Sequence, residues 1–309
     1  MQVVHDIVDF QPTWNSAVLT LGVFDGLHRG HQALIKRVQR RSRFRSHARI
    51  LVTYHPHPDM VLGKRTSMQG QELFTHDEKV ELLNQFDLDA VIFLPFNMEL
   101  ARMTALRYLK DILLGRLRAK HIVIGYDQRF GRGRKGDYRF LKKMSYRYDY
   151  GVEEISAVKY RGEIVSSSRI RQAIQSGDVA LADRLLGHDF FVTGVVSRGD
   201  QRGRQLGFPT ANLKLPDSKI RPATGVYTAV ATIGGKRYRA MVNIGTNPTF
   251  ELNQLKIEAH LLHFNEDIYG APLRLYFRDR IRDEEKFEGP EDLRKQLELD
   301  RKRAAALRL

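Results

Sequence analysis

The chain has 309 residues, 42% of them apolar, enough to fill two cores of ordinary size; it has no cysteine, which excludes disulfides, thiolate nucleophiles and Cys-based zinc sites. No run approaches the ~18 apolar residues that span a bilayer, and Met1-Gln2-Val3-Val4-His5-Asp6 offers no basic patch before an apolar core, so no signal peptide is expected and a reducing cytoplasm suits the composition. The formal charge of +15 suits polyphosphate substrates or nucleic acid, but no nucleic-acid signature accompanies it and the cations are spread over many elements, so nucleic acid is disfavoured.

The first half alternates short apolar strands, at residues 17–23, 49–54, 90–94, 121–125 and 153–158, with helical stretches near 32–44, 77–86, 104–114 and 138–148. That rhythm predicts a parallel α/β sheet with right-handed crossovers and a site at the carboxyl ends of its strands. Two helical patches, 168–175 and 179–186, close this half. After Gly187 the period falls to two, in residues 190–197, 227–232, 238–244, 256–262 and 273–277, and Ile233-Gly234-Gly235-Lys236 is a tight hairpin signal. An antiparallel barrel or sandwich is expected there. A helix over about 290–307 ends the chain, acidic at its start and basic at its end as the helix dipole favours. The expected domains are residues 1–186 and 187–309.

The first strand and first helix are joined by Gly22-Val23-Phe24-Asp25-Gly26-Leu27-His28-Arg29-Gly30-His31. Glycines admit a ligand close to the backbone. A helix N-terminus offers unpaired N–H groups and the positive end of a dipole, and imidazoles at i and i+3 can donate to one phosphate. Tyr54-His55-Pro56-His57-Pro58 follows the second strand, and Gly125-Tyr126-Asp127-Gln128-Arg129-Phe130-Gly131, continued by Arg132-Gly133-Arg134-Lys135-Gly136, follows the fourth. Both stand where such a sheet places its site, although a proline-stiffened turn and a solvated basic turn explain them equally well on composition. Ser166-Ser167-Ser168-Arg169-Ile170-Arg171 opens a helix. Serines are ordinary N-caps, but Arg169 and Arg171 oppose the dipole unless an anion binds there.

In the second half, Gly203-Arg204-Gln205-Leu206-Gly207-Phe208-Pro209-Thr210-Ala211-Asn212-Leu213 combines glycines that admit phosphates with hydroxyl and amide oxygens suited to Mg²⁺. It differs from the P-loop pattern Gly-x4-Gly-Lys-[Ser/Thr]. In Lys256-Ile257-Glu258-Ala259-His260-Leu261-Leu262, alternation puts Glu258 on the face opposite Ile257, Ala259 and Leu261, as a solvated carboxylate or as a base.

These strings, about four in each half and in collinear order, resemble the bacterial bifunctional riboflavin kinase/FMN adenylyltransferases (FAD synthetases). The resemblance implies a Rossmann-like parallel α/β nucleotidyltransferase domain, then an antiparallel β-barrel riboflavin kinase domain with a terminal α-helix. It implies that the second half converts riboflavin and ATP to FMN, and the first half FMN and ATP to FAD and pyrophosphate, with Mg²⁺ as the metal. By resemblance, Gly22, Phe24, Asp25 and Gly26 surround the nucleotide, while His28 and His31 stabilise its α-phosphate. Ser167, Ser168 and Arg169 hold the β- and γ-phosphates, and Pro56, His57, Pro58 and Asp127 serve the flavin or nucleotide. In the kinase half, Gly203, Gly207, Thr210 and Asn212 bind ATP, Thr210 and Asn212 also bind Mg²⁺, Glu258 is the base, and Tyr227 and Arg282 lie at the flavin. The stretches 243–250 and 281–287 frame the pocket. Two departures stand out: Ser168 replaces the usual Thr and keeps the hydroxyl, and Gln128 replaces a usual aromatic residue, which would re-tune FMN binding. Two alternatives stay open: a chain in which only the kinase half is active, and a regulatory or nucleic-acid-binding protein on an inactive scaffold. Self-association is also left open.

Overall fold

Ala17-Val18-Leu19-Thr20-Leu21 is buried at every position, as a strand covered on both faces must be, and around it the first of two compact units is built. The computed structural model describes residues 1–8, 10–43, 46–63, 71–199, 203, 206–246 and 255–309. Its units are Met1–Met68 with Thr75–Ser166, and Gln69–Phe74 with Ser167–Leu309.

The first unit holds six strands, β1 (Gln2–Val4), β2 (Ala17–Leu21), β3 (Ala48–His55), β4 (Ala90–Pro95), β5 (Ala119–Gly125) and β6 (Gly151–Ile155). They form one sheet in the order β1-β4-β3-β2-β5-β6, every neighbouring pair parallel. The chain runs outward from β2 through β3 to β4, then returns to lay β5 on the other side of β2. Strand order therefore reverses between β2 and β5, and a sheet of this kind opens its ligand crevice at that point. Its helices are α1 (Arg29–Ser42), α2 (Pro58–Val61), α3 (His76–Leu83), α4 (Met98–Arg102), α5 (Ala105–Arg107) and α6 (Tyr138–Tyr148), and a small hairpin, β7 (Lys159–Tyr160) with β8 (Glu163–Ile164), follows. Helix α1 buries Leu34, Ile35 and Val38 on one face, and on another its Arg37 and Arg41 pair with Glu153 of β6. The helix expected over 104–114 begins as α5 and continues as a π-wound stretch, Tyr108–Arg116. Strand β1 is a departure from the sequence reading. Three residues carry too little periodicity to announce a strand, and β1 exists through its pairing with β4.

The second unit begins with α7 (Ser167–Gln175) and α8 (Val179–Leu186), so by packing it starts before residue 187. Helix α8 stops at Gly187, whose φ of +79° is left-handed. Strands β9 (Phe191–Ser197), β10 (Ala211–Lys214), β11 (Gly225–Ile233), β12 (Lys236–Thr246), β13 (Leu255–Leu261) and β14 (Pro272–Arg282) close an antiparallel barrel in the order β10-β13-β12-β11-β14-β9. Gly234 and Gly235 both take positive φ, +55° and +77°, in the two-residue turn between β11 and β12, the backbone that matches strand twist in a tight hairpin. Strand β10 is not among the strands expected from the sequence, because Ala211-Asn212-Leu213-Lys214 becomes a strand only between β9 and β13. Helix α9 (Pro290–Ala305) ends the unit. The fully buried Lys219 donates to the Leu73 carbonyl at 2.7 Å and lies 4.3 Å from the Phe74 ring centre, so the stretch before α3 is part of this unit.

Candidate active sites

The first candidate site grows from the turn after β2. Phe24, Gly26 and Leu27 have φ of +52°, +88° and +45°. Left-handed backbone is ordinary for the glycine and costly for a buried phenylalanine or leucine, the kind of strain that persists where surroundings fix a functional turn. The turn delivers His28 as the N-cap of α1, its Nδ1 accepting from the His31 backbone N–H at 3.3 Å. With Nδ1 an acceptor, Nε2 carries the hydrogen and is the donor. The His28 and His31 rings stack at 3.6 Å with 15° between planes, and Phe24 closes on His31 at 5.0 Å. A Cβ on Gly30 would stand 3.1 Å from the His28 ring, so glycine there lets the ring fold over the first turn. That turn contains no acidic residue, which leaves the dipole's positive end available to an anion.

Burial first, then the proximity of His28 and the Lys79 ammonium, hold the His31 imidazole well below its ordinary pKa. Its Nδ1 is buried without a hydrogen-bond partner. Lys79 was not singled out in the sequence. It comes from α3, where its Nζ donates to the Val23 carbonyl at 3.4 Å, and no local pattern marks it. Gln128 stands across the strand-order reversal, its amide oxygen 3.5 Å from where a Cβ of Gly22 would lie. Asp127 beside it is exposed.

Pro56, His57 and Pro58 follow the end of β3, after a cis His55–Pro56 bond. His57 has a structural task as N-cap of α2, its Nδ1 accepting from the Asp59 N–H at 3.1 Å. Gly22, Asp25, His28, His31, the 56–58 turn and Asp127 thus share the carboxyl edge of one sheet. Ser167, Ser168 and Arg169 do not fall in this unit; they open α7 in the second. Arg171 is explained without an anion, since its Nε donates to the Gln71 carbonyl at 2.7 Å.

The second candidate site is a cavity of about 330 Å³ in the barrel unit. Thr210, Asn243, Glu258, His260, Arg282, Glu284 and Glu285 supply its polar lining, and Met241, Phe287, Leu293 and Leu297 much of its apolar wall. The register explains the convergence. Glu258 on β13 lies opposite Asn212 on β10 and Asn243 on β12, and cross-strand partners project to the same face. Alternation sends Ile257 and Ala259 into the barrel core, leaving Glu258 only partly buried. The loop before β10 doubles back, with the Phe208 N–H donating to the Gly203 carbonyl at 2.8 Å. A Cβ on Gly203 would meet the Phe208 carbonyl oxygen at 2.3 Å, and Gly207 has φ of +84°, so both positions demand glycine.

Arg282 is held by Asp300 of α9, its Nε and Nη2 lying 3.0 and 2.9 Å from Oδ2 while Gln296 donates to Oδ1 at 3.0 Å. Asp300 is fully buried. Sequence reading missed it, along with Asn243 and His260 as individual residues, because register and helix docking bring them in. Tyr227 does not line this cavity. Its neighbour Val226 lines the cavity, while Tyr227 is fully buried, sets its ring edge-on to Phe277 at 5.5 Å and donates to the Ala223 carbonyl at 2.7 Å. Arg204, Gln205 and residues 247–250 lie outside the described residues.

Comparisons with known proteins match both halves of the chain. The FAD synthetase family model matches residues 10–169 and the riboflavin kinase family model matches residues 186–308. A bifunctional riboflavin kinase/FMN adenylyltransferase of Bacillus subtilis is 36% identical over 294 residues, 93% of this chain and 91% of that protein. The Escherichia coli K12 protein of the same name is 35% identical over 94% of this chain and 92% of its own length, and that of Pseudomonas fluorescens 33% identical over 99% and 98%. A crystal structure from Streptococcus pneumoniae, named as a macrolide-efflux protein, superposes with a TM-score of 0.91 at 32% identity and 99% coverage of both chains. Among the described residues of the present chain, no helix is long and apolar enough to cross a membrane.

Proposed function

The chain belongs to the bifunctional riboflavin kinase/FMN adenylyltransferase family, and from that premise we propose which of its residues perform each reaction. It phosphorylates riboflavin with ATP to give FMN and ADP, and adenylylates FMN with a second ATP to give FAD and pyrophosphate. Kinase chemistry belongs to residues 187–309 and adenylyl transfer to residues 1–186. The single observation that supports the assignment best is the cavity in which Glu258 and Thr210 stand together, remote in sequence from the His28–His31 stack.

In the kinase step Glu258 takes the proton of the riboflavin hydroxyl as that oxygen bonds to the γ-phosphorus, and the bond to the β-phosphate oxygen breaks to release ADP. Gly203 and Gly207 let the loop approach the phosphates, and Arg282, fixed by Asp300, faces the flavin. Mg²⁺ supplies charge neutralisation to the departing phosphates. Thr210 and Asn212 would hold it, because they offer neutral oxygen donors.

In the adenylyl step an FMN phosphate oxygen attacks the α-phosphorus and pyrophosphate leaves. His28 Nε2–H and His31 stabilise charge on the α-phosphate, aided by the α1 N-terminus; Gly22, Phe24, Asp25 and Gly26 shape the nucleotide seat. On motif alone, Ser167, Ser168 and Arg169 hold the β- and γ-phosphates, while Pro56, His57, Pro58 and Asp127 shape the flavin side. The substrates are small molecules, with no nucleic acid among the partners, and the compartment is the cytoplasm.

One incubation tests the assignment: full-length chain with riboflavin, ATP and Mg²⁺, with the flavins separated chromatographically. Glu258→Ala is expected to abolish FMN formation while FAD still forms from supplied FMN. His28→Ala with His31→Ala is expected to do the reverse. Loss of both activities in either folded variant would show that the halves do not divide the work in this way.

A further inference from the structure

Phe208 and Pro209 separate the glycine turn at Gly203 from Thr210, and two distant elements hold them. His260 on β13 brings Nδ1 to 2.8 Å from the Pro209 carbonyl oxygen. A carbonyl only accepts, so Nδ1 carries the hydrogen and donates. The same ring meets Phe208 edge-on, 5.4 Å between centres and 64° between planes, a favourable aromatic geometry. From α9, Arg301 sets its guanidinium carbon 5.7 Å from the Phe208 ring centre, within cation–π range. His260 and Phe208 are only 8% and 3% exposed, while Pro209 and Arg301 stand at the surface. His260 also stands two residues beyond Glu258 on the same strand, hence on the same face.

We propose that His260 is a positioning residue for phosphoryl transfer: by gripping the Pro209 carbonyl and the Phe208 ring, it fixes where Thr210 is presented relative to Glu258. It touches none of the reacting atoms. One strand thereby carries the base and, two positions on, the group that sets the register of the phosphate loop against that base. Arg301 holds the far end of the same contact, one residue from the Asp300 that fixes Arg282, so α9 steadies the loop and the flavin cation together. This inference rests on the kinase roles assigned above to Thr210 and Glu258.

The test uses the full-length chain, with kcat and KM measured separately for ATP and riboflavin. FAD formation from supplied FMN serves as an internal control on folding, beside the unfolding temperature. His260→Ala is expected to lower kinase kcat by roughly 10²-fold, since a displacement of about 1 Å costs that much, and to raise the KM for ATP more than that for riboflavin. FAD formation should stay within about twofold of the parent. His260→Asn places an amide N–H close to the position of Nδ1 and is expected to recover most of the loss, whereas His260→Gln, whose donor lies nearer the position of Nε2, is not. If the Ala variant does not fold, the Asn–Gln comparison decides alone. Equal behaviour of Asn and Gln, or a fall in kcat with both KM values unchanged, overturns the positioning role. Continued FMN formation by Glu258→Ala instead overturns the reading beneath it.

Discussion

At the scale of the residue, the chemistry rests on side chains whose states are set by neighbours far along the chain. His31 is the clearest case. Burial, with His28 and the Lys79 ammonium nearby, keeps it deprotonated at neutral pH in the free protein. A bound triphosphate reverses the sign of that environment and raises the pKa, so ATP binding should take up protons in the window between the depressed and the restored value. Calorimetric titration of the nucleotide in buffers of different ionisation enthalpy measures the uptake, and His31→Gln should reduce it; identical uptake in the variant would exclude His31 as the group that charges. The His-x-x-His spacing was legible because two imidazoles on one helical turn share a direction. Lys79 from α3, which helps to set the state of His31, was not, since it belongs to no recurrent local pattern.

At the scale of the element, glycine placement decides which loops can approach phosphates. The Gly203 turn shows the limit most plainly, because an added methyl would press on backbone and not on a flexible side chain. Gly203→Ala is therefore expected to open the Gly203–Phe208 turn and to lower kinase kcat by roughly 10²-fold. FAD formation from supplied FMN should be unchanged, which steady-state assays of the two reactions would reveal. The parallel strands β2 to β5 and the long barrel strands were readable from apolar runs and period-two alternation. Short β1 and β10 were not. Three or four residues have no period of their own, and their strand conformation is imposed by the neighbours that complete their hydrogen bonds.

For the whole molecule, each unit carries its own core, and stability depends on how each core treats its buried charges. Asp183 in the barrel unit accepts from the Phe190 N–H at 2.6 Å and lies 3.7 Å from Arg278, which pairs more closely with Asp189 at 2.5 Å. Burial pushes its pKa up to about 7. The folded state therefore holds a proton that the unfolded chain has released, and this contribution is complete below the unfolded pKa of ~3.9 and lost as pH rises through about 7. Asp183→Asn keeps an oxygen for Phe190 and removes the cost of the charge. Its stability gain over the parent should be larger at about pH 8 than at about pH 5 by on the order of 2 kcal/mol. Denaturant unfolding at the two pH values measures this, and a larger gain at the acid end would refute it.

Fold class, the two chemistries and the strings that carry them were legible in the chain before any folding was considered. Strand and helix periods, glycine turns and motif order are properties of neighbouring residues, written within spans of a dozen or fewer. Tertiary structure alone decided which residues complete each site. Barrel closure sets Glu258 between Asn212 and Asn243, brings His260 to Pro209 and turns Tyr227 into the core. Docking of α9 supplies Asp300 to Arg282, and reversal of strand order faces Gln128 toward Gly22. These contacts join positions far apart in the chain. Their geometry depends on register and crossing of whole elements, which no local run of residues encodes.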